Sequence, residues 1–203
     1  TAQTATLVKS GTVSNVAIAG ISVTTPASAA NAGTQPNRTA KVPEGTTALV
    51  VAIDDTTAAV AGNALRFKAV LSAGGTVNGA AATTLAPQYF NLTTDALKKA
   101  TLSLTIGGAG ALADSVLTLT QVDVANVAVS GAVEAITWQT PAVQGSNIVP
   151  TPTTAVAAVG ATTAVTVQVD DSFGVDQVGW TVRAYRTSES AANLVGSGVT
   201  NAS

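Results

Sequence analysis

The feature that most constrains this chain is a strand-and-turn pattern that occurs twice. One copy runs Thr162-Thr-Ala-Val-Thr-Val-Gln-Val-Asp-Asp171, and the other runs Thr46-Thr-Ala-Leu-Val-Val-Ala-Ile-Asp-Asp55. They share Thr, Thr, Ala, Val, Asp and Asp in register. Alternation of β-branched residues turns one side of a strand to a core and the other side to water. The pattern therefore predicts an all-β chain that builds the same strand and turn twice.

A second pair of matching segments lies upstream of the first pair. Val13-Ser-Asn-Val-Ala-Ile-Ala-Gly20 corresponds to Val124-Ala-Asn-Val-Ala-Val-Ser-Gly131. Two matching pairs in the same order indicate internal duplication. We therefore predict an N-terminal strand or linker at 1–12, a first repeat at 13–123 and a second repeat at 124–203.

The end of the first repeat has no counterpart in the second. Two alternating runs, 101–106 and 115–122, flank Gly107-Gly-Ala-Gly110 and predict a hairpin. Upstream of them, Thr93-Thr-Asp-Ala-Leu-Lys-Lys99 could form one helical turn with Thr94 or Asp95 as its cap. Because the second repeat stops before any equivalent of 101–122, we expect its sandwich to be incomplete at the C-terminal end.

The residues around the second repeated stretch resemble a known family. The pattern Val-x-Val-x-Val-Asp-x-Ser-Phe-Gly ends at Gly174, and Gly179-Trp-Thr-Val182 follows after a short gap. This arrangement resembles the bacterial immunoglobulin-like repeats of surface-layer proteins, invasins and other adhesins, in which an Asp-x-x-Gly turn joins two strands. The first copy departs from it, because Thr56-Thr-Ala58 stands where Ser-Phe-Gly would be. The resemblance implies tandem immunoglobulin-like β-sandwich domains.

Composition narrows the function. Charged residues make up 10% of the chain and the net charge is −2, so there is no basic stripe to bind nucleic acid. The chain has no His, so a Ser-His-Asp triad cannot form, and we expect no enzymatic activity. No apolar run approaches the ~18 residues of a membrane helix, so no membrane span is expected. The absence of Cys suits an exported, extracellular protein.

Acidic residues at the ends of the repeated strands are the candidate metal ligands. Asp170, Asp171 and Asp176 lie at the end of the second copy, and Asp54 and Asp55 at the end of the first. Calcium prefers several hard oxygen ligands in a flexible geometry, which acidic loops between strands can supply. The alternative is a turn in which the carboxylates accept backbone N–H groups. Beyond calcium, no cofactor is expected.

Glycosylation sites and a sugar-binding aromatic residue are a second kind of candidate site. Asn37, Asn91 and Asn201 each stand two residues before Ser or Thr, which is the acceptor pattern for N-glycosylation. In a chain this rich in Ser and Thr, chance produces such matches. Trp180 is expected to pack in the core, whereas Trp138 is left open between core packing and stacking on a sugar.

Together these patterns predict a structural protein of the cell surface. We expect a self-assembling surface-layer subunit whose partners are other copies of itself, with calcium at its junctions and a cell-wall or glycan anchor. The alternatives are a fibre or pilus subunit assembled by strand donation and the stalk of a large adhesin. Under strand donation, residues 1–12 of one subunit would complete the second repeat of a neighbour.

Overall fold

Strands dominate the part of the chain that the structure describes. The computed structural model describes residues 13–34, 37–56, 58, 60–151 and 161–201. In those ranges the regular elements are β-strands and two short 3-10 helices, so the all-β prediction is confirmed. None of the helices in these ranges has the length and apolarity to cross a membrane. By packing, the chain divides into two units, Thr1–Thr140 and Pro141–Ser203.

The first unit contains two sheets. Its strands and one 3-10 helix are, in chain order, β1 Gly20–Thr25, β2 Ala30–Thr34, β3 Asn37–Pro43, β4 Ala48–Asp54, β5 Ala64–Leu71, β6 Thr76–Val77, β7 Ala80–Ala81, β8 Gln88–Thr93, β9 Lys99–Gly107, the 3-10 helix Gly108–Ala111, β10 Val116–Val122 and β11 Ala128–Gln139. One sheet has the order β1-β4-β9-β6-β7, and the other has the order β2-β3-β11-β10-β5-β8. Neighbouring strands are antiparallel except for β3 and β11, which run parallel.

The core of the first unit lies between its two sheets. Along β4 and β5 buried and partly exposed residues alternate, as the period-two pattern of the sequence predicts. Leu49, Val51 and Ile53 of one sheet are at most 1% exposed, and Phe67 and Trp138 of the other sheet are fully buried. They belong to one apolar cluster, so the sheets pack face to face around aliphatic side chains.

The predicted hairpin at 101–122 is wrong, although both of its strands exist. β9 pairs with β4 and β6 in one sheet, whereas β10 pairs with β5 and β11 in the other. The glycines between them form a crossing from one sheet to the other instead of a tight turn. Gly110 is packed there so closely that a Cβ atom would lie 2.8 Å from the Leu71 side chain, which only glycine avoids.

The segment Val124–Gly131, the start of the predicted second repeat, lies in the first unit. It contains the turn after β10 and the beginning of β11, which pairs with β10 on one side and with β3 on the other. The packing boundary falls after Thr140, downstream of the predicted repeat boundary at 123/124. The repeat boundaries stay a prediction, since packing divides a chain by its contacts and not by its duplication.

In its described residues the second unit contains two separate strand pairs. Its elements are β12 Val143–Thr151, β13 Thr166–Asp171, β14 Thr181–Tyr185, the 3-10 helix Ala191–Asn193 and β15 Leu194–Val199. β12 pairs with β13, and β14 pairs with β15, in both cases antiparallel. Of this unit's described side chains, Val169 and Asp171 alone are buried. The predicted core position of Trp180 is wrong, because this side chain is 49% exposed.

Candidate functional site

The acidic residues act first as turn formers. In the turn after β13, the Asp171 N–H donates to the Val175 carbonyl at 3.0 Å, and the Gly174 N–H donates back to the Asp171 carbonyl at 3.0 Å. Oδ1 of Asp171 accepts the N–H groups of Phe173 at 2.8 Å and Val175 at 3.1 Å. Gly174 has a φ of 72°, which fits a type I turn that ends in a left-handed residue.

The same turn occurs twice more, at aspartates that sequence reasoning did not select for it. Oδ1 of Asp123 accepts the N–H groups of Ala125 and Val127 at 2.8 and 2.9 Å. Oδ1 of Asp95 accepts those of Leu97 and Lys99 at 2.8 and 2.9 Å. The helical turn predicted around Asp95 is therefore wrong. The fourth residue of each turn has a positive φ, but in these copies it is Lys98 and Asn126 rather than Gly, so the Asp-x-x-Gly signature missed them.

The second aspartate of each repeated pair is buried. Asp55 is 0% exposed and Asp171 is 4% exposed. Each accepts a side-chain amide from a few residues downstream, because Asn63 Nδ2 lies 2.8 Å from Asp55 Oδ2 and Gln177 Nε2 lies 3.1 Å from Asp171 Oδ2. Oδ1 of Asp55 has no hydrogen-bond partner in the described part of the chain. Both residues therefore accept a downstream amide at equivalent ends of β4 and β13, but Asp171 also accepts two N–H groups of its turn through Oδ1.

The first aspartate of each pair lies nearer to solvent. Asp54 Oδ2 is 3.0 Å from the Lys99 ammonium group, and Asp54 Oδ1 accepts the Thr56 N–H at 3.0 Å. The hydrogen bond from Lys99 is the largest cause that lowers the pKa of Asp54 below its usual value, and the hydrogen bonds from Thr56 add to it. A cation already lies beside this carboxylate, which disfavours a metal ion there.

Asp170 and Asp176 are brought together in the second unit. Gln168 Nε2 donates to Oδ1 of Asp170 at 3.2 Å and to Oδ1 of Asp176 at 2.9 Å, and the two aspartates form an isolated antiparallel bridge. Within the ranges given above, no cluster of three or more acidic or other metal-ligating side chains lies close enough to hold a metal ion. Of this pair of predicted calcium ligands, Asp176 is exposed and Asp170 is partly exposed.

The three glycosylation candidates lie on strands or beside them. Asn37 begins β3, Asn91 is exposed on β8, and Asn201 is exposed just after β15. Oδ1 of Asn91 accepts a hydrogen bond from the Arg66 guanidinium at 3.2 Å. Trp138 is fully buried and its indole N–H donates to the Thr46 carbonyl at 2.8 Å, so core packing is the role that its surroundings fit.

Sequence reasoning missed Glu134, which is a buried carboxylate on β11. It is 0% exposed, and neither carboxylate oxygen has a hydrogen-bond partner among the described residues. Burial raises its pKa to about 7, and the charge of Arg38 opposes this shift. A signal was available, since Glu134, Ile136 and Trp138 alternate along one strand and therefore face the same side.

The second unit contains an open groove. It has a volume of about 680 Å³, and its walls include Val165, Val167, Val182 and Ala184. Val165 is 48% exposed. The corresponding residue in the first repeated stretch is Leu49, which is 1% exposed. Val165, which lies just before β13, and Val167 of β13 therefore line an open groove, whereas Val169, further along the same side of the strand, is buried.

Comparison of the chain with protein-family models, with curated protein sequences and with solved structures returned no match. What can be inferred about function rests on the residues of the chain itself.

Proposed function

We propose that this chain is a structural protein of the cell surface, a subunit that assembles with copies of itself into an extracellular surface layer. The observation that carries the proposal is the apolar surface of the second unit. Nine of its large apolar side chains are at least 43% exposed, namely Ile148, Val149, Val165, Val175, Val178, Trp180, Leu194, Val195 and Val199. Because Val169 and Asp171 are the only buried side chains of this unit in the described ranges, these residues form little apolar core of their own, and we expect a partner to cover part of their apolar surface.

The strand order of the first unit supports the immunoglobulin-like part of the proposal. In that fold strands A, B and E share one sheet, and C, F and G share the other. β1, β4 and β9 match the first set, and β5, β10 and β11 match the second. Under this assignment the complete first domain extends to Gln139, so the final strand of the domain is β11 and not β10.

Low charge supports the assembly part. Charged residues make up 10% of this chain, against about 25% in ordinary globular domains. Weak mutual repulsion allows copies to pack side by side, whereas strong net charge keeps a protein monomeric. Ion pairs are correspondingly scarce, since the described residues contain a single one, between Lys99 and Asp54.

Calcium enters the proposal at Asp170 and Asp176. Both carboxylates are exposed enough to reach a cation, and the Gln168 amide that now joins them would have to turn away or contribute its oxygen. A second copy would supply the remaining ligands at a junction. Asp171 contributes nothing in this scheme, because both of its oxygens already accept hydrogen bonds.

A fibre subunit assembled by strand donation is the second candidate, and a specific observation favours it. β13 and β14 are each paired with one described strand only, and such edges can accept an added strand. The predicted donor, residues 1–12, lies outside the described residues.

Electron microscopy of the purified chain with calcium and with a chelator tests these candidates. A surface-layer subunit should form sheets or tubes with calcium, and the chelator should disperse them. Filaments that persist in chelator would favour the fibre subunit, and a monomer under both conditions would contradict assembly. The double substitution Asp170→Asn with Asp176→Asn should abolish the calcium response, whereas Glu189→Gln should preserve it.

A further inference from the structure

The second unit repeats half of the strand pairing of the first unit. β1 pairs antiparallel with β4, starting with Gly20 opposite Asp54, and β12 pairs antiparallel with β13, starting with Val143 opposite Asp171. The antiparallel pair β14–β15 likewise corresponds to the pair β5–β8. Both units thus contain one strand pair from each of the two sheets of a sandwich.

In the first unit two further strands complete these halves. β9 lies on the free edge of β4, and β10 lies on the free edge of β5. In the second unit no described strand occupies the equivalent edges of β13 and β14. A short bridge between Asp170 and Asp176 covers the end of β13, so the open part of that edge lies around Thr166 and Val167.

The chemistry of the groove indicates what would cover it. Among the described residues that line it, Arg183 alone is charged, and the others are Val, Ala, Ile, Pro, Gly, Thr, Ser and Asn. A segment that fills it must therefore carry apolar side chains on one face of each strand and few charges. β9 and β10 have this pattern, since Leu102, Leu104, Leu117 and Leu119 are at most 4% exposed where they cover β4 and β5.

We propose that the groove is the acceptor site for a polypeptide segment with two alternating strands like those of β9 and β10. One strand adds to the open edge of β13 and the other to the open edge of β14, and a glycine-containing crossing joins them. The site gains backbone hydrogen bonds along both edges and buries the exposed valines.

A second copy of this chain is a poor source for that segment. Its own β9 and β10 are already buried in its first unit, and donating them would open one core in order to close another. The occupant is therefore a separate segment of the same strand chemistry. This inference goes beyond the proposed function, which concerns contacts between copies of the chain, and its test is read on single chains and does not depend on layer formation.

The experiment adds a labelled synthetic peptide with the sequence of Lys99–Val122 to the full chain and measures fluorescence anisotropy and backbone hydrogen exchange. Saturable binding is expected, together with slower exchange in β13 and β14. The control peptide carries Leu104→Asp and Leu119→Asp and should not bind. A fusion that places the same segment after Ser203 through a flexible linker tests the site if the free peptide aggregates.

Matched substitutions locate the site. Val165→Asp places a charge in the groove at a half-exposed position, so the fold should persist while affinity falls about tenfold or more. Thr187→Asp lies at an exposed position after the end of β14, outside the groove lining, and should leave affinity unchanged. If both variants bind the peptide with equal affinity, the proposal is wrong. It is also wrong if neither the peptide nor the fusion slows hydrogen exchange in β13 and β14.

One further outcome would show that the site already has an occupant. If β13 and β14 exchange slowly in the free chain, and deletion of residues 1–12 makes them exchange fast, the chain's own N-terminal segment fills the groove. That result would overturn the proposal of a separate segment. Fast exchange that the deletion does not change supports it.

Discussion

The two units show what the same local pattern does with and without a complete sandwich around it. Leu49 and Val165 stand at the same place in the two repeated stretches, yet the first is 1% exposed and the second is 48% exposed. β4 has a strand on each side, whereas β13 has a single described neighbour. Local alternation therefore produces the strand in both units, but burial depends on strands that come from elsewhere.

The polar features of the units differ less than their cores. The turn at Asp123 in the first unit and the turn at Asp171 in the second have the same four hydrogen bonds. Such a turn is complete within five residues and needs no distant partner. The local hydrogen bonds of the turn are thus the same in both units, whereas the long-range packing differs.

The difference in packing between the two units is tested most directly at the paired positions Leu49 and Val165. Leu49→Ala should lower the free energy of unfolding of the first unit by about 2–5 kcal/mol, because it leaves a cavity in a closed core. Val165→Ala should change the stability of the second unit by less than about 0.5 kcal/mol, because half of the side chain is already in water. Urea unfolding followed by hydrogen exchange in each unit measures both. Similar losses would mean that the second unit has a closed core in solution.

The next largest effect is expected at Glu134, a buried acidic residue of the first unit. The pKa of Glu134 is raised from 4.5 to about 7, so the folded state holds this proton more tightly than the unfolded state. Stability of the first unit should be greatest below about pH 4.5 as far as this group is concerned. It should then fall by about 3 kcal/mol as the pH rises through 7.

Glu134→Gln removes the charge and should therefore raise the melting temperature of the first unit at pH 8 and flatten its pH dependence. Glu189→Gln, at an exposed position of the second unit, is the control and should leave that transition unchanged. A wild-type profile that is flat between pH 4 and 8 would show that Glu134 is solvated or paired in solution.

The aspartate turns test the feature that the two units share, which is their local hydrogen bonding. Asp123→Ala and Asp171→Ala each remove a carboxylate that accepts two backbone N–H groups, and each should cost about 1–3 kcal/mol locally. Amide exchange at Val127 and at Val175 should quicken by similar factors. Asp→Asn at either position keeps an acceptor oxygen and should have a smaller effect. A large effect in one unit alone would argue against a shared turn.

The smallest effect is expected at the ion pair between Lys99 and Asp54. Lys99→Gln should reduce stability by no more than about 0.5 kcal/mol, because both side chains are substantially exposed. It should also raise the pKa of Asp54 towards its usual value, as measured by NMR titration. The small stabilisation from this pair is present above the unfolded pKa of Asp and lost as the pH falls through the folded pKa. An unchanged Asp54 pKa would show that Lys99 does not contact it in solution.

Only part of the candidate site could be predicted from the sequence. The paired aspartates were selected correctly as residues that end a strand. Period-two alternation places Asp55 on the side of Ile53 and Asp171 on the side of Val169, but sequence reasoning did not use it to separate the buried member of each pair from the exposed one. That difference arises because the Asn63 and Gln177 amides reach Asp55 and Asp171 and stabilise them in the interior. Asp95 and Asp123 were passed over because Lys98 and Asn126 adopt a left-handed conformation that is usually left to glycine.

What the sequence alone determined is the all-β class, the alternating faces of the strands and the chemistry of the turns, since each follows from neighbours within about ten residues. The sheet to which each strand belongs was decided by tertiary structure. β9 and β10 have the pattern of a hairpin, yet they lie in different sheets, where β9 pairs with β4 and β10 pairs with β5. The tertiary structure also left Val165 and Val167 beside an open groove, because burying an apolar face requires a second layer that no local pattern can supply.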